Sequence, residues 1–404
     1  MHLTDRIGQL ATLRQAAQNI RASYWFIPGC LVVAAMIVAW LAHYGDRNVG
    51  LELPLPDALT EMSTDDAKDL LATIAGAVIG VAGVMFSLTL VAVTHAAGQY
   101  GPRLIGNFMR DRGNQWSLGI LLGVFVYALL TLALVSGKAG EVARLSVALG
   151  LGFSLVGVGT MIFFIHHVPE TVNVANISAG LGRRLAQMVR QQIDDAGDET
   201  AQVPREGDPD DHVCFPRAGY IQAVSFDRLR ELAVKHDLAL RFDATPGDFV
   251  TPRAPFLSVW NGTIDDGLRD QILATVAVGE EQTETQSMTF IADQLVEMVA
   301  LALSPGINDP FTAINCLNWL TAALEDALAY EGGLRGDGDG RIQGVEIGFP
   351  TLYDHTFPAA FAYLADDAMA RAAAIVRLER LMAVETDLPR DKILRDLRRL
   401  RERN

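Results

Sequence analysis

The sequence predicts a mainly α-helical membrane protein, in which a bundle of four transmembrane helices precedes a cytoplasmic α+β domain. Three observations predict this class. Half of the 404 residues are hydrophobic, yet the formal net charge is -15. The longest uncharged apolar runs all lie before residue 169, whereas acidic residues are spread through the rest. The negative charge also argues against nucleic acid as a partner, because phosphate binding requires clustered Lys and Arg.

Four apolar segments are long enough to cross a bilayer, whose core takes about 20 helical residues. None of them contains Asp, Glu, Lys or Arg. Aromatic side chains such as Tyr24, Trp25 and Trp116 stand at segment ends, where membrane interfaces enrich them. The predicted spans cover residues 24–43, 70–97, 117–136 and 145–168.

Basic residues flanking the spans predict the orientation. They are denser before the first span and between the second and third than in the other two loops, which places both termini in the cytoplasm. The residues concerned are Arg6, Arg14, Arg21, Arg103, Arg110 and Arg112.

The second span is unusually rich in small residues. Gly76 and Gly80 form a small-xxx-small pair, and Gly83 follows one turn later. Such a face lets helices approach closely, within or between subunits. The alternative is a pore-lining helix, in which Ser87 and Thr94 wet one side. With Thr89 included, the hydroxyls do not form a clean stripe, and both interpretations stay open.

Three histidines are predicted at one membrane depth, at the ends of the second and fourth spans: His95, His166 and His167. Imidazoles on two helices are able to hold a metal or haem iron. At the boundary, however, water hydrates them at little cost. We therefore expect interfacial side chains, and no cofactor.

The soluble half divides into three parts. Residues 169–211 are predicted to form a juxtamembrane helix and an acidic linker. Residues 212–262 alternate short strand and helix patterns, which indicates a small α/β module with a β part. Residues 263–404 are predicted to be mainly helical, ending in a basic amphipathic tail that either lies on the membrane or is a solvated helix.

The segment SPGINDPFTA, residues 304–313, is the most distinctive in the chain. Asp309 before Pro310 is typical of a helix N-cap followed by Pro in the first turn. One interpretation is a specialised corner between two helices. The other makes Ser304, Asn308, Asp309 and Thr312 contacts to a ligand, an ion or a neighbouring subunit.

Four strings carry a family resemblance, at residues 86–105, 163–168, 246–250 and 302–313. With them the chain resembles the bacterial family of predicted membrane proteins called domain of unknown function twenty-two fifty-four. The resemblance implies the bacterial inner membrane, four N-terminal spans and a soluble C-terminal portion. It implies no catalytic residues.

Function is predicted at the level of class. No GxSxG, P-loop, HExxH or CxxC motif occurs, so we do not expect an enzyme. The favoured hypothesis is a homo-oligomeric, channel-like protein whose cytoplasmic domain gates the pore or senses an ion or small-molecule ligand. The alternative is a membrane-anchored sensor or scaffold whose soluble domain binds a metabolite or partner.

Overall fold

The computed structural model describes residues 24–48, 62–101, 111–135, 143–196, 207–328, 341–344, 347–386, 388 and 390–403. The chain separates into two compact units. The first comprises residues 1–98 and 102–173, and the second comprises residues 99–101 and 174–404. Most of the predicted linker, residues 197–206, lies outside the described residues, as do Arg6, Arg14, Arg21, Arg103 and Arg110.

The first unit contains four helices that are long and apolar enough to cross a membrane. They are α1 (Phe26–Asn48), α2 (Thr64–Tyr100), α3 (Arg112–Val135) and α4 (Arg144–Val172). The predicted fold class and its four spans are confirmed. Helix α2 has 37 residues, about 55 Å at 1.5 Å per residue. It is therefore longer than a ~30 Å hydrocarbon core requires.

Helices α1 and α3 approach closely through two glycines. A Cβ on Gly119 would lie 2.6 Å from the Leu31 side chain and 2.9 Å from the Pro28 Cα. A Cβ on Gly123 would lie 3.4 Å from the Leu31 carbonyl oxygen. Gly119 and Gly123 thus form a small-xxx-small face occupied within the chain.

Asp46, near the end of α1, caps the start of α4. Its carboxylate accepts hydrogen bonds from the Leu145 and Ser146 backbone N–H groups at 2.9 and 3.0 Å, and from the Ser146 hydroxyl at 2.6 Å. The buried Tyr127 hydroxyl donates to the Ser146 carbonyl at 2.8 Å. The first N–H groups of a helix have no partner in the helix itself. Here Asp46 of α1 provides acceptors for those of α4.

Helix α2 joins the bundle through one face. Leu71 and Ala75 cluster with Val124 of α3, and further along the helix Met85 clusters with Phe164 of α4. These residues of α2 are buried, whereas the opposite side of the helix is exposed. Helix α2 therefore has a packed face and an uncovered one.

The second unit mixes short strands with helices. Its helices are α5 (Val174–Ala196), α6 (Phe226–Lys235), α7 (Asp266–Leu273), α8 (Met288–Ala302), α9 (Pro310–Leu328), α10 (Phe349–Asp354), α11 (Phe357–Asp366), α12 (Ala368–Met382) and α13 (Asp391–Arg401). Its strands are β1 (Asp211–Cys214), β2 (Gly219–Val224), β3 (Ala239–Phe242), β4 (Phe249–Val250), β5 (Pro255–Trp260), β6 (Val276–Gly279) and β7 (Ile342–Gln343).

The strands form two small sheets, in the orders β1-β5-β3-β7 and β4-β2-β6. Every pairing is antiparallel except β3 with β7. Alternate strand residues such as Val213, Ile221 and Leu240 enter one apolar core, which α6 and α7 cover with Leu229 and Ile272. The sheets include strands β6 and β7, which lie beyond residue 262.

Helix α5 packs on α8 and α9 in the helical part of this unit. A Cβ on Gly182 would overlap the Trp319 side chain, so glycine is required where the indole crosses α5. The Asn315 amide donates to the Ser178 hydroxyl at 2.9 Å. The amphipathic pattern after the fourth span therefore arises because one face of α5 packs against α8 and α9.

The basic tail forms α13, and its apolar face packs into the unit. Ile393, Leu397 and Leu400 are buried, and the Tyr353 hydroxyl donates to buried Asp396 at 3.0 Å. Three basic side chains at this end pair with acids elsewhere in the unit, Lys392 with Asp354, Arg401 with Glu379 and Arg403 with Asp366. The apolar face of the tail is therefore buried in the unit, whereas Arg395, Arg398 and Arg399 on its polar face are exposed. Contact of that face with a membrane stays a prediction.

Replacing Gly119 by Leu tests the α1–α3 contact. We expect the variant to be destabilised by about 1–3 kcal/mol, because the added side chain has no room against Leu31 and the Pro28 backbone. Thermal unfolding of the detergent-purified protein measures the change. Gly152→Leu is the matched control, since a Cβ there meets nothing within 4 Å. Equal losses in both variants would contradict the assigned contact.

Replacing Asp396 by Asn tests the buried carboxyl beneath α13. Burial raises the pKa of Asp396 above its ordinary value, so the folded state binds a proton more readily than the unfolded state. Stability from this group is therefore present at low pH and is lost as the pH rises through the raised pKa. The Asp396→Asn side chain keeps an acceptor for Tyr353 without the buried charge, and should raise Tm near pH 7 by about 2–4 °C.

The readout is the Tm of each variant measured between pH 4 and pH 7. Glu402→Gln, which removes an exposed carboxylate from the same end of the chain, is the control variant. A pH profile of Asp396→Asn identical to that of the unaltered protein would exclude the proposed titration.

Candidate functional site

Five predicted residues lie on the exposed side of α2, which we call the open face: Gly76, Gly80, Gly83, Ser87 and Thr94. They follow each other at intervals of four, three, four and seven residues, the rhythm that keeps residues on one side of a helix. A Cβ on any of the three glycines would meet nothing within 4 Å. Within the described chain, no helix occupies this face.

The hydroxyl groups of α2 separate into two sets. Thr89 is buried on the packed face and donates to the Met85 carbonyl at 2.9 Å. Thr94 is exposed and donates to the Leu90 carbonyl of its own helix at 2.9 Å. Ser87 is exposed, and its hydroxyl makes no hydrogen bond with the described residues. The irregular hydroxyl spacing arises because Thr89 belongs to the opposite face.

Larger apolar side chains border the open face. Ile79 and Phe86 are exposed along one edge, and Val84 and Leu88 along the other. The glycines therefore form a shallow depression between two rows of bulky side chains. The depression leaves room for a second helix to approach α2 as closely as α1 approaches α3 at Gly119.

The predicted corner SPGINDPFTA joins α8 to α9. Asp309 caps α9: its carboxylate accepts from the Thr312 N–H at 3.2 Å and the Thr312 hydroxyl at 2.6 Å. Its own N–H donates to the Ala302 carbonyl at 2.7 Å. Asn308 adopts a φ of 50°, which Asn tolerates better than most residues. Asp309 and Thr312 are thus engaged with each other.

The tip of the corner is exposed. Ser304 is partly buried and accepts the Ile307 and Asn308 N–H groups through its backbone carbonyl. Beside it, the Phe311 side chain is 71% exposed. A contact to a ligand or subunit at this corner stays a prediction. Asn308 and Phe311 are the exposed side chains that such a partner would contact.

The three predicted histidines have different surroundings. His95 is exposed on α2. His166 is exposed and lies 3.3 Å from Glu170 one turn away. His167 is partly buried, 2.8 Å from the Asp111 carboxylate. Within the described ranges, no three His, Cys, Asp or Glu side chains lie close enough to hold a metal ion.

Asp111 is a partner of His167 that the sequence did not reveal. The same carboxylate accepts from the Asn114 N–H at 2.8 Å and so caps α3. The imidazole stacks on Phe163, with ring centroids 4.9 Å apart. A Cβ on Gly113 would overlap the imidazole, so glycine makes room for the ring. The contact joins positions 56 residues apart.

A second pair of a histidine with a carboxylate occurs in the second unit, and the sequence did not indicate it either. His355 Nδ1 lies 2.8 Å from the Asp293 carboxylate. This hydrogen bond raises the pKa of His355 against the opposing effect of burial, and the charges of Asp293, Asp248 and Asp354 add to the rise. Asp248 lies in the segment of residues 246–250, one of the four that carry the family resemblance. In this segment Gly247 adopts a φ of 103° and forms the turn.

The four long apolar helices, followed by a mixed α+β unit, define a multi-pass membrane protein. Comparison with known families makes the assignment specific. The chain belongs to the family described as predicted membrane protein (DUF2254), whose model matches residues 21–380.

Relatives among curated proteins are mycobacterial. An uncharacterised protein of Mycobacterium bovis and one of Mycobacterium tuberculosis are each 29% identical over 276 residues, 65% of this chain and 53% of theirs. The chain thus spans about half the length of the curated relatives it matches. No solved structure matches the chain.

Replacing Asp309 by Ala tests the corner. We expect a loss of about 1–2 kcal/mol, because α9 loses its N-cap and Thr312 its partner. Thermal unfolding of the full-length protein measures the loss. Asn308→Gly keeps the positive φ and should leave stability unchanged. An unchanged Tm for Asp309→Ala would contradict the capping role.

Proposed function

We propose that this protein is a homo-oligomeric, channel-like protein of the bacterial inner membrane, with both termini in the cytoplasm. In this proposal α2 helices from several copies meet around a common axis through their open faces. The soluble unit then gates the pathway or senses a ligand. The observation that carries the proposal is the uncovered row of small residues opposite the packed face of α2.

Packing within the membrane supports contact through this face. Association of membrane helices depends on close van der Waals contact rather than on hydrophobic burial. A face of glycines offers lipid tails few atoms to contact, whereas a second helix fitted to it recovers that contact. The α1–α3 contact at Gly119 and Gly123 is an example of the same device inside this chain.

The exposed hydroxyl of Ser87 favours a partly wet contact. A polar group facing hydrocarbon without a hydrogen-bond partner is costly. The Ser87 hydroxyl makes no hydrogen bond with the described residues, and Ser87 lies on the open face. In an oligomer it would meet a neighbouring subunit or water in a pathway. No charged ring lies within the spans, so selectivity would come from hydroxyl and backbone groups.

A membrane-anchored sensor or scaffold is the second candidate. The observation that favours it is that the open face would equally serve a dimer without a lumen, since close packing of two such faces leaves no space between them. In that case the spans only assemble the protein, and the soluble unit binds the metabolite or partner.

Ion conductance in a planar bilayer tests the channel proposal. We expect discrete currents from the purified oligomer, with unitary conductance reduced by about half or more in Gly80→Leu, since the added side chain would project into a narrow pathway. Gly152→Leu inserts the same side chain at another open glycine of a spanning helix and should leave the currents unchanged. If the folded oligomer passes no current across several salts, voltages and membrane tensions, the channel proposal is excluded.

Cross-linking separates assembly from conduction. In a background without the exposed Cys30, Ser87→Cys should form disulfide-linked dimers faster than Leu88→Cys, its exposed neighbour beside the open face. Cross-linking at Ser87→Cys without any conductance would favour the anchored sensor or scaffold. Equal rates at the two positions would contradict contact through the open face.

A further inference from the structure

A groove lies between α3 and α4 on the outside of the first unit. It has a volume of about 390 Å³, within the range of small-molecule sites, ~300–1,000 Å³. Trp116 and Ile120 line it from α3, and Val156, Gly159 and Phe163 line it from α4. It extends from Phe163 to Val156, about 10 Å along α4 at 1.5 Å per residue, and is open along its length.

The walls of the groove are apolar. Its two hydroxyl groups are turned to their own helices: Ser117 donates to the Gly113 carbonyl at 2.7 Å, and Thr160 donates to the Val156 carbonyl at 2.8 Å. These two hydroxyls therefore offer no free donor, and the Trp116 indole N–H is the one side-chain donor left in the lining. A hydrocarbon chain matches the lining, and Gly159 deepens the groove because it lacks a side chain.

One end of the groove is charged. Arg112 is exposed and precedes Trp116 by one helical turn, so both lie on the same side of α3. The Arg112 guanidinium makes no ion pair or hydrogen bond with the described residues. The nearby Asp111 carboxylate, in contrast, is engaged by His167 and by the Asn114 N–H. On the α4 side, one turn beyond Phe163, the His166 and Glu170 side chains lie 3.3 Å apart and face each other. Among the described residues at this end, Arg112 is thus the cation without a carboxylate partner, and its guanidinium suits phosphate.

We propose that this groove is a binding site for an anionic phospholipid. One acyl chain lies against Ile120, Val156 and Gly159, with Trp116 at the level of the glycerol backbone, where indoles prefer to sit. The phosphate contacts Arg112. The site belongs to a single copy of the chain and does not require the oligomer or the pore.

Native mass spectrometry of the full-length protein tests the site. Micelles containing the protein are titrated with phosphatidylglycerol and, separately, with phosphatidylcholine of the same acyl chains. We expect tighter binding of phosphatidylglycerol. Arg112→Gln should reduce that preference by about fivefold, the effect of one basic residue at an anionic surface. Arg47→Gln, at an exposed arginine ending α1, should not.

A matched pair of substitutions tests the acyl chain. Val156 and Val158 are both half exposed on α4, at 51% and 56%, but only Val156 lines the groove. Val156→Trp should weaken binding of both lipids by about tenfold, equivalent to 1.4 kcal/mol, while Val158→Trp leaves it unchanged. Gly159→Leu against Gly152→Leu repeats the comparison if the tryptophan variant does not fold.

Three results would overturn the proposal. Equal effects of Val156→Trp and Val158→Trp would mean that lipid covers α4 without a preferred position. An unchanged preference in Arg112→Gln would remove the phosphate contact. Binding of oleate alone as tightly as phosphatidylglycerol would replace the phospholipid with a fatty acid.

Discussion

The membrane unit depends on close contact between helices at glycine. Lipid tails are as apolar as the helices, so burial of apolar surface does not hold the bundle together. Gly119 and Gly123 allow α3 to approach α1 until Leu31 touches the α3 backbone. The same residue type recurs on α2, where no described helix occupies the space. The proposal that α2 contacts a neighbouring copy rests on this likeness between the two helices.

Carboxylates at the helix ends fix how these helices meet. Asp46 of α1 satisfies the first N–H groups of α4, and Asp111 satisfies α3 while pairing with His167 of α4. Each interaction places an acceptor where a helix start has unpaired donors and a partial positive charge. Both contacts involve α4, one near each of its ends. The register of α4 against its neighbours is therefore set by polar contacts at the ends and by apolar packing between them.

The spans could be predicted because span length and absence of charge are local properties of the sequence. Contacts between distant positions could not. The tail is basic when its sequence is considered alone, but Glu379, Asp366 and Asp354 on other helices pair with three of its cations. Likewise, the residues of the open face could be named, yet only the fold separates Thr89 from Ser87 and Thr94. Gly119 and Gly123 show the same spacing as Gly76 and Gly80, and nothing local tells the occupied pair from the open one.

The open face of α2 and the α3–α4 groove lie on different sides of the first unit. Helix α2 meets α3 and α4 through Leu71, Ala75 and Met85, on the side opposite its glycines. Its open face consequently points away from the two helices that enclose the groove. Protein contact through α2 would leave the groove facing lipid, so each copy in an assembly could keep its own lipid site. A lipid bound between α3 and α4 would contact the two helices against which the packed face of α2 lies. It would therefore influence the position of α2 through α3 and α4.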